Sequence, residues 1–100
     1  APVQVKVLPV SAEQIPYAEL IREELAKEDI RVEVDAANEK LGYKIRQAQL
    51  EKVPYMLVVG KNEEEDKSVA VRDRREGDLG SMSLADFREK VLKEIMEKLN

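Results

Sequence analysis

The sequence predicts an α/β domain built on a mixed sheet, and three observations carry that reading. Apolar residues alternate or run together in short blocks at Val3–Val10, Ile30–Asp35 and Tyr55–Val59, the signature of strands. Two stretches with helical spacing separate these blocks, and the joins are short. That strand–helix–strand–helix–strand order favours parallel strands linked by right-handed crossovers. Finally, only the polar segment Lys61–Lys67 lies between the third block and the next alternating run, Ser68–Arg74. So short a connection predicts an antiparallel hairpin, and hence a mixed sheet.

Each element has its own justification. In the first strand Val3, Val5 and Val7 alternate with Gln4 and Lys6 before Leu8–Val10 continues apolar. Ser11-Ala-Glu-Gln14 has the form of a capping box, and Pro16 suits the first turn of the helix that follows. Tyr17, Leu20, Ile21 and Leu25 form its apolar stripe. The helix should end near Glu28-Asp29, with a left-handed residue there, a conformation that Asp tolerates better than most. Ile30, Val32 and Val34 then alternate with Arg31, Glu33 and Asp35 in the second strand.

Asn38 is the expected N-cap of the second helix, because its side-chain oxygen can accept an unpaired amide of the first turn. Leu41, Ile45 and Ala48 give the buried stripe, while Lys40, Lys44, Arg46 and Lys52 lie off it and are expected to face water or an anionic partner. Val53-Pro54 stops the helix. Tyr55–Val59 is apolar throughout and ends at Gly60, as suits a strand covered on both faces. Lys61–Lys67 reads as an acidic loop and Glu76–Gly80 as a turn that could open a short last strand. Ser83 caps a final helix with the stripe Leu84, Phe87, Val91, Ile95 and Leu99.

Composition excludes several kinds of chemistry. The 100 residues form one domain, 38% charged and 43% hydrophobic, as expected of a soluble globular chain. There is no cysteine and no histidine, so disulfides, thiol nucleophiles, Cys/His zinc sites and the usual neutral-pH base are absent. No apolar run approaches the roughly 20 residues that cross a bilayer. A cytoplasmic location without membrane or DNA contacts is the expectation. The net charge of −4 argues against a generic nucleic-acid coat. The charge is uneven, however: 38–60 holds four bases against two acids, whereas 19–29 holds five acids against two bases.

Among the polar residues, Asp35 stands at the carboxyl end of a strand, where α/β folds place ligands, although a lone Asp there is more often a turn former. Gly77-Asp-Leu-Gly80-Ser81 lacks the spacing and lysine of a phosphate loop. Four consecutive acids at Glu63–Asp66 make a solvated turn more readily than a metal site, which needs converging oxygens. A different constellation suits binding. Asn38, Lys40 and Arg46 come from the second helix, Glu63 from the segment after the third strand and Arg72 from the fourth strand. These side chains could converge beyond the strand ends. An Asn amide, an Arg guanidinium and a Glu carboxylate match the edges of nucleobases, which single-stranded RNA loops present unstacked. Tyr43 or Tyr55 could add a stacking face, though tyrosines in a chain this small are more often core.

Asn38-Glu-Lys-Leu-Gly-Tyr-Lys-Ile-Arg46, Lys52–Gly60, Val71-Arg72 and Gly77-Asp-Leu-Gly-Ser-Met82 together resemble the C-terminal anticodon-binding domains of threonyl-tRNA synthetases. The resemblance runs from Val5 to the last helix. It implies a three-layer α/β/α fold over 1–100: a mixed five-stranded sheet, its first three strands parallel, flanked by three helices. It also implies binding of the anticodon loop of threonine tRNA, with the family's recognition residues falling on Asn38, Lys40, Arg46, Glu63 and Arg72. The partner within a full-length synthetase would be its catalytic domain, where ATP and zinc belong. No catalytic site, cofactor or metal is expected in these 100 residues. Ala36-Ala37 replaces a commonly charged pair, Asp29 a common Gly, and the Glu63–Asp66 run adds acid near the site. The alternative reading is a structural or interaction domain, free-standing or engineered, that keeps the fold without reading RNA.

Overall fold

The two most apolar runs of the chain lie side by side at the centre of the sheet. In the computed structural model, which describes residues 3–99, β1 (Val5–Pro9) pairs in parallel with β2 (Val32–Val34) and β3 (Tyr55–Val59). β4 (Ser68–Asp73) runs antiparallel to β3, and β5 (Gly77–Ser83) antiparallel to β4, so the order is β2-β1-β3-β4-β5. The mixed sheet with three parallel strands is therefore as expected.

Two helices, α1 (Ile15–Ala26) and α4 (Leu84–Leu99), pack on one face. There Val5, Val7, Leu57, Val59, Val69 and Val71 meet Ile21 and Leu25 of α1 and Phe87 and Val91 of α4. α2 (Leu41–Leu50) lies on the other face, burying Ala48 against Leu8 and Met56 with Leu41, Ile45 and Val58 at the margin. This makes the three layers. Coverage of the second face stops at β3. Ala70 and Arg72, which alternate with buried Val69 and Val71, stay partly exposed, and so does that side of β5.

Lys6 shows what double coverage demands. It points from β1 into the α2 side and is 7% exposed. Burying an ammonium there requires a partner, and Glu51, which ends α2, accepts from Nζ with both oxygens at 2.8 and 3.0 Å.

Local signals held where they depended on neighbours alone. Asp29 adopts φ 61 at the end of α1, the left-handed conformation expected of it. Ser83 Oγ accepts the Asp86 amide at 3.1 Å and caps α4. The Leu99 side chain, last of the expected stripe, lies outside what the structure describes. Four expectations change. Ser11 makes no cap to backbone, because its hydroxyl donates to Gln14 Oε1 at 2.6 Å and a 3-10 turn, Ala12–Gln14, precedes α1. Leu20 is 49% exposed, since Ala18 takes the position against the sheet and Leu20 falls at an apolar cleft of ≈ 300 Å³ between α1 and α4. The segment after β3 is a short helix, α3 (Lys61–Asp66), which adds a fourth helix to the three expected. Gly77–Ser83 is a full strand, with a bulge opposite Val71/Arg72 and Gly77 and Gly80 both at φ 83.

Two tyrosines tie the layers together. Tyr17 OH donates to Ser68 O at 2.8 Å, and Tyr55 OH donates to the Glu94 carboxylate. Burial raises both hydroxyls above the ordinary 10.0, helped at Tyr17 by the charges of Glu63 and Glu64 and at Tyr55 by the hydrogen bond and charge of Glu94. A raised folded-state pKa means that the native chain keeps protons which the unfolded chain releases. The resulting stabilisation is complete below about pH 10 and is lost as pH climbs through the folded-state value. Urea midpoints should therefore fall above pH 10 more steeply in wild type than in Tyr55→Phe. Identical slopes in the two proteins would exclude Tyr55 as a cause.

Candidate nucleic-acid interface

The loop between β2 and α2 begins with Asp35, whose Oδ1 accepts the Ala37 amide at 3.1 Å. Asp35 is thus a turn former, as its isolation suggested. The Glu39 amide donates to Ala37 O at 2.9 Å, and Lys40, extended at φ −66 and ψ 146, is the residue that precedes the helix. Asn38 is therefore not the N-cap. The turn at Asp35 delays the helix by two residues and leaves the Asn38 side chain exposed, with no helix amide to satisfy. Lys40 is exposed beside it.

Lys44 departs most from expectation. Only 4% exposed, it donates from Nζ to Pro9 O at 3.3 Å and Asp35 O at 3.1 Å. Its sequence neighbourhood gave no sign of this, because both acceptors are backbone carbonyls on other elements.

The contacts of α2 fix which way Arg46 points. Lys44 and Glu51 reach toward β2 and β1, so at 100° per residue Gly42 and Gln49 leave the helix on the opposite flank, toward β3 and β4, with Arg46 next to them on the solvent side. Arg46 is exposed there. Arg72 rises from β4 on the same face, opposite Met56 of β3 and Asp78 of β5. It is half-buried, and among the described residues no carboxylate comes within ion-pair distance of either guanidinium.

Glu63 belongs to α3 rather than to a loop. Its Oε1 accepts the Gly60 amide at 2.7 Å and closes the start of that helix. A Cβ on Gly60 would lie 3.2 Å from both Glu63 Oε1 and Val10 Cγ2, so any larger residue there would push these two side chains back by a few tenths of an ångström. The spacing Gly60-x-x-Glu63, with Glu at the third helical position, was the available signal for this helix.

The backbone positions of the five residues are therefore strung along the fold, not all set beyond the strand ends. Asn38, Lys40 and Glu63 stand at the carboxyl end of the parallel strands, Arg46 is exposed on the solvent side of α2, and Arg72 lies on the uncovered part of the sheet. The hairpin register is the reason. It sets Arg72 level with Met56, four residues before Gly60, or about 13 Å along the strand. The result is a track rather than a ring. Of the tyrosines, Tyr55 is core and Tyr43 is 52% exposed on the outer side of α2, one turn before Arg46.

Comparison with known proteins agrees with this architecture. The anticodon binding domain family model matches residues 4–94. The chain is 57% identical over 98 residues to a threonine–tRNA ligase of Caldanaerobacter subterraneus subsp. tengcongensis, which covers 98% of this chain and 15% of that ligase. It is 54% identical over 100 residues to the threonine–tRNA ligase of Clostridium novyi, covering 100% of this chain and 16% of that one. A solved structure, the RNA binding domain of threonyl-tRNA synthetase from Cryptosporidium parvum Iowa II, superposes with a TM-score of 0.85 at 33% identity, over 90% of this chain and 23% of that one. The fold is thus that of an α/β accessory domain of aminoacyl-tRNA synthetases. Within that class, the chain belongs to the anticodon-binding domain family. It spans 15–16% of the length of the curated ligases it matches.

Proposed function

We propose that this domain reads the anticodon loop of threonine tRNA on behalf of a threonine–tRNA ligase. The supporting observation is Arg72, half-buried on the sheet face that α2 leaves open, with exposed Arg46 on α2 beside it and, among the described residues, no ion-pair partner for either guanidinium; Asn38, Lys40 and Glu63 continue the set at the strand ends. Arg46 and Arg72 each offer a planar fork of donors to a base edge, and Asn38 offers both a donor and an acceptor. Glu63 keeps one oxygen for its helix and has the other for a base amino or imino group. Lys40 supplies charge for the backbone, and Tyr43 a candidate stacking face. Amino-acid activation, with its ATP and zinc, belongs in this reading to the ligase's catalytic part, and the domain works in the cytoplasm where translation occurs.

Titration of a threonine anticodon stem-loop, against one with the central base changed, tests the proposal. The matched loop should bind more tightly by about 1–3 kcal/mol for each base edge that the changed loop no longer presents. Affinity should be modest and should fall with salt, because a few phosphate contacts carry much of it. Equal affinity for both loops removes specificity. No binding at modest salt leaves a structural or interaction module of the same fold.

A further inference from the structure

We propose that Lys44 is a positioning residue for base reading, holding the segment 35–40 in the conformation that presents Asn38 and Lys40; this rests on the anticodon reading above. Its ammonium ties together three elements: α2, which carries it, the end of β1 at Pro9 O, and the residue after β2 at Asp35 O. Between β1 and β2 the strand pairing runs out at Val7 and Val34, with one further bond from the Asp35 amide to Val7 O. Beyond that point, among the described residues, only the local bonds at Ala37 and Glu39 shape the loop. The ammonium clamps this otherwise lightly held stretch from inside.

Stability does not account for a lysine in this position. A cation surrounded by carbonyls, with no carboxylate within ion-pair distance among the described residues, is costly to bury. An unbranched apolar side chain would fill the same space without that cost. Direct contact with RNA does not account for it either, because the side chain is covered, although it helps to line a cleft of ≈ 100 Å³ with Ala37 and Asn38. What the ammonium supplies, and a methionine would not, is a fixed separation between the strand ends and the loop.

The test uses the full chain and Lys44→Met, with Lys44→Gln as a second variant that keeps an uncharged N–H donor group. In Lys44→Met the preference for the matched stem-loop should fall at least fivefold, with Lys44→Gln between it and wild type. The salt dependence of binding should not change, because no phosphate contact is removed. In the free protein the Ala37 and Glu39 amides should exchange at least tenfold faster while those of β3 keep their protection. A log–log salt slope shallower by about 0.7 would mean that Lys44 itself touches a phosphate, and would overturn the proposal. So would undiminished discrimination, or a uniform loss of protection across the sheet. If wild type does not distinguish the two stem-loops, the anticodon reading has failed, and the Lys44 proposal with it, before any substitution is compared.

Discussion

Arg72→Ala is expected to weaken binding of a threonine anticodon stem-loop by about 1–3 kcal/mol, roughly 5- to 150-fold. The side chain projects from the middle of β4, half-buried on the face that α2 leaves open. Its stem is held by the strands on either side, so little conformational freedom remains to be lost when a base arrives. No carboxylate competes for its donors among the described residues. Arg72→Lys separates the two ways in which an arginine can act. Lysine keeps the charge but lacks the planar fork, so it should recover little if the contact is to a base edge. Near-complete recovery would assign Arg72 to a phosphate instead. The fold should tolerate both changes, since neither removes a buried partner, and unfolding midpoints provide the check. Binding by Arg72→Ala equal to that of wild type would remove Arg72 from the site.

How much of this was legible in the sequence depended on how far each feature reached along the chain. Tyr55–Val59 and the left-handed Asp29 were readable because the residues that determine them are adjacent. α3 was not, because Lys61–Asp66 has no apolar residue from which to read a period; the Glu63 bond to Gly60 and packing beside β4 hold it. β5 was only half legible, since its glycines read as turn residues and its pairing comes from β4. The five side chains suited to base reading could be picked out from the letters, and the resemblance fell on the same five. Their arrangement as a track could not be read, because it follows from the β3–β4 register and from which flank of α2 faces β4. Lys44 was misread for a related reason. Helical periodicity cannot foresee that two distant strand ends will offer carbonyls to a lysine.

The largest loss of stability should come from Phe87→Ala, at about 3–5 kcal/mol. Phe87 is fully buried, and its ring meets Tyr55 edge-on, with centroids 5.5 Å apart and planes at 83°. Together with Val91 it supplies the fully covered part of the α4 contact, whereas Leu84, Leu92 and Ile95 are only partly buried. Truncation therefore opens a cavity under α4 and weakens the hold of the residue that positions Tyr55 toward Glu94. A domain of this size has about 5–15 kcal/mol in total, so the variant should unfold at a much lower urea concentration. Met96→Ala, on the same helix but 67% exposed, should change stability by no more than about 0.5 kcal/mol. Because α4 lies on the face opposite Arg46 and Arg72, whatever fraction of Phe87→Ala remains folded should keep its preference among stem-loops. A cost below about 1 kcal/mol would mean that the core does not depend on α4. Loss of discrimination in the folded fraction would mean that the two faces of the sheet are not independent, and that the bare face owes its geometry to the layer behind it.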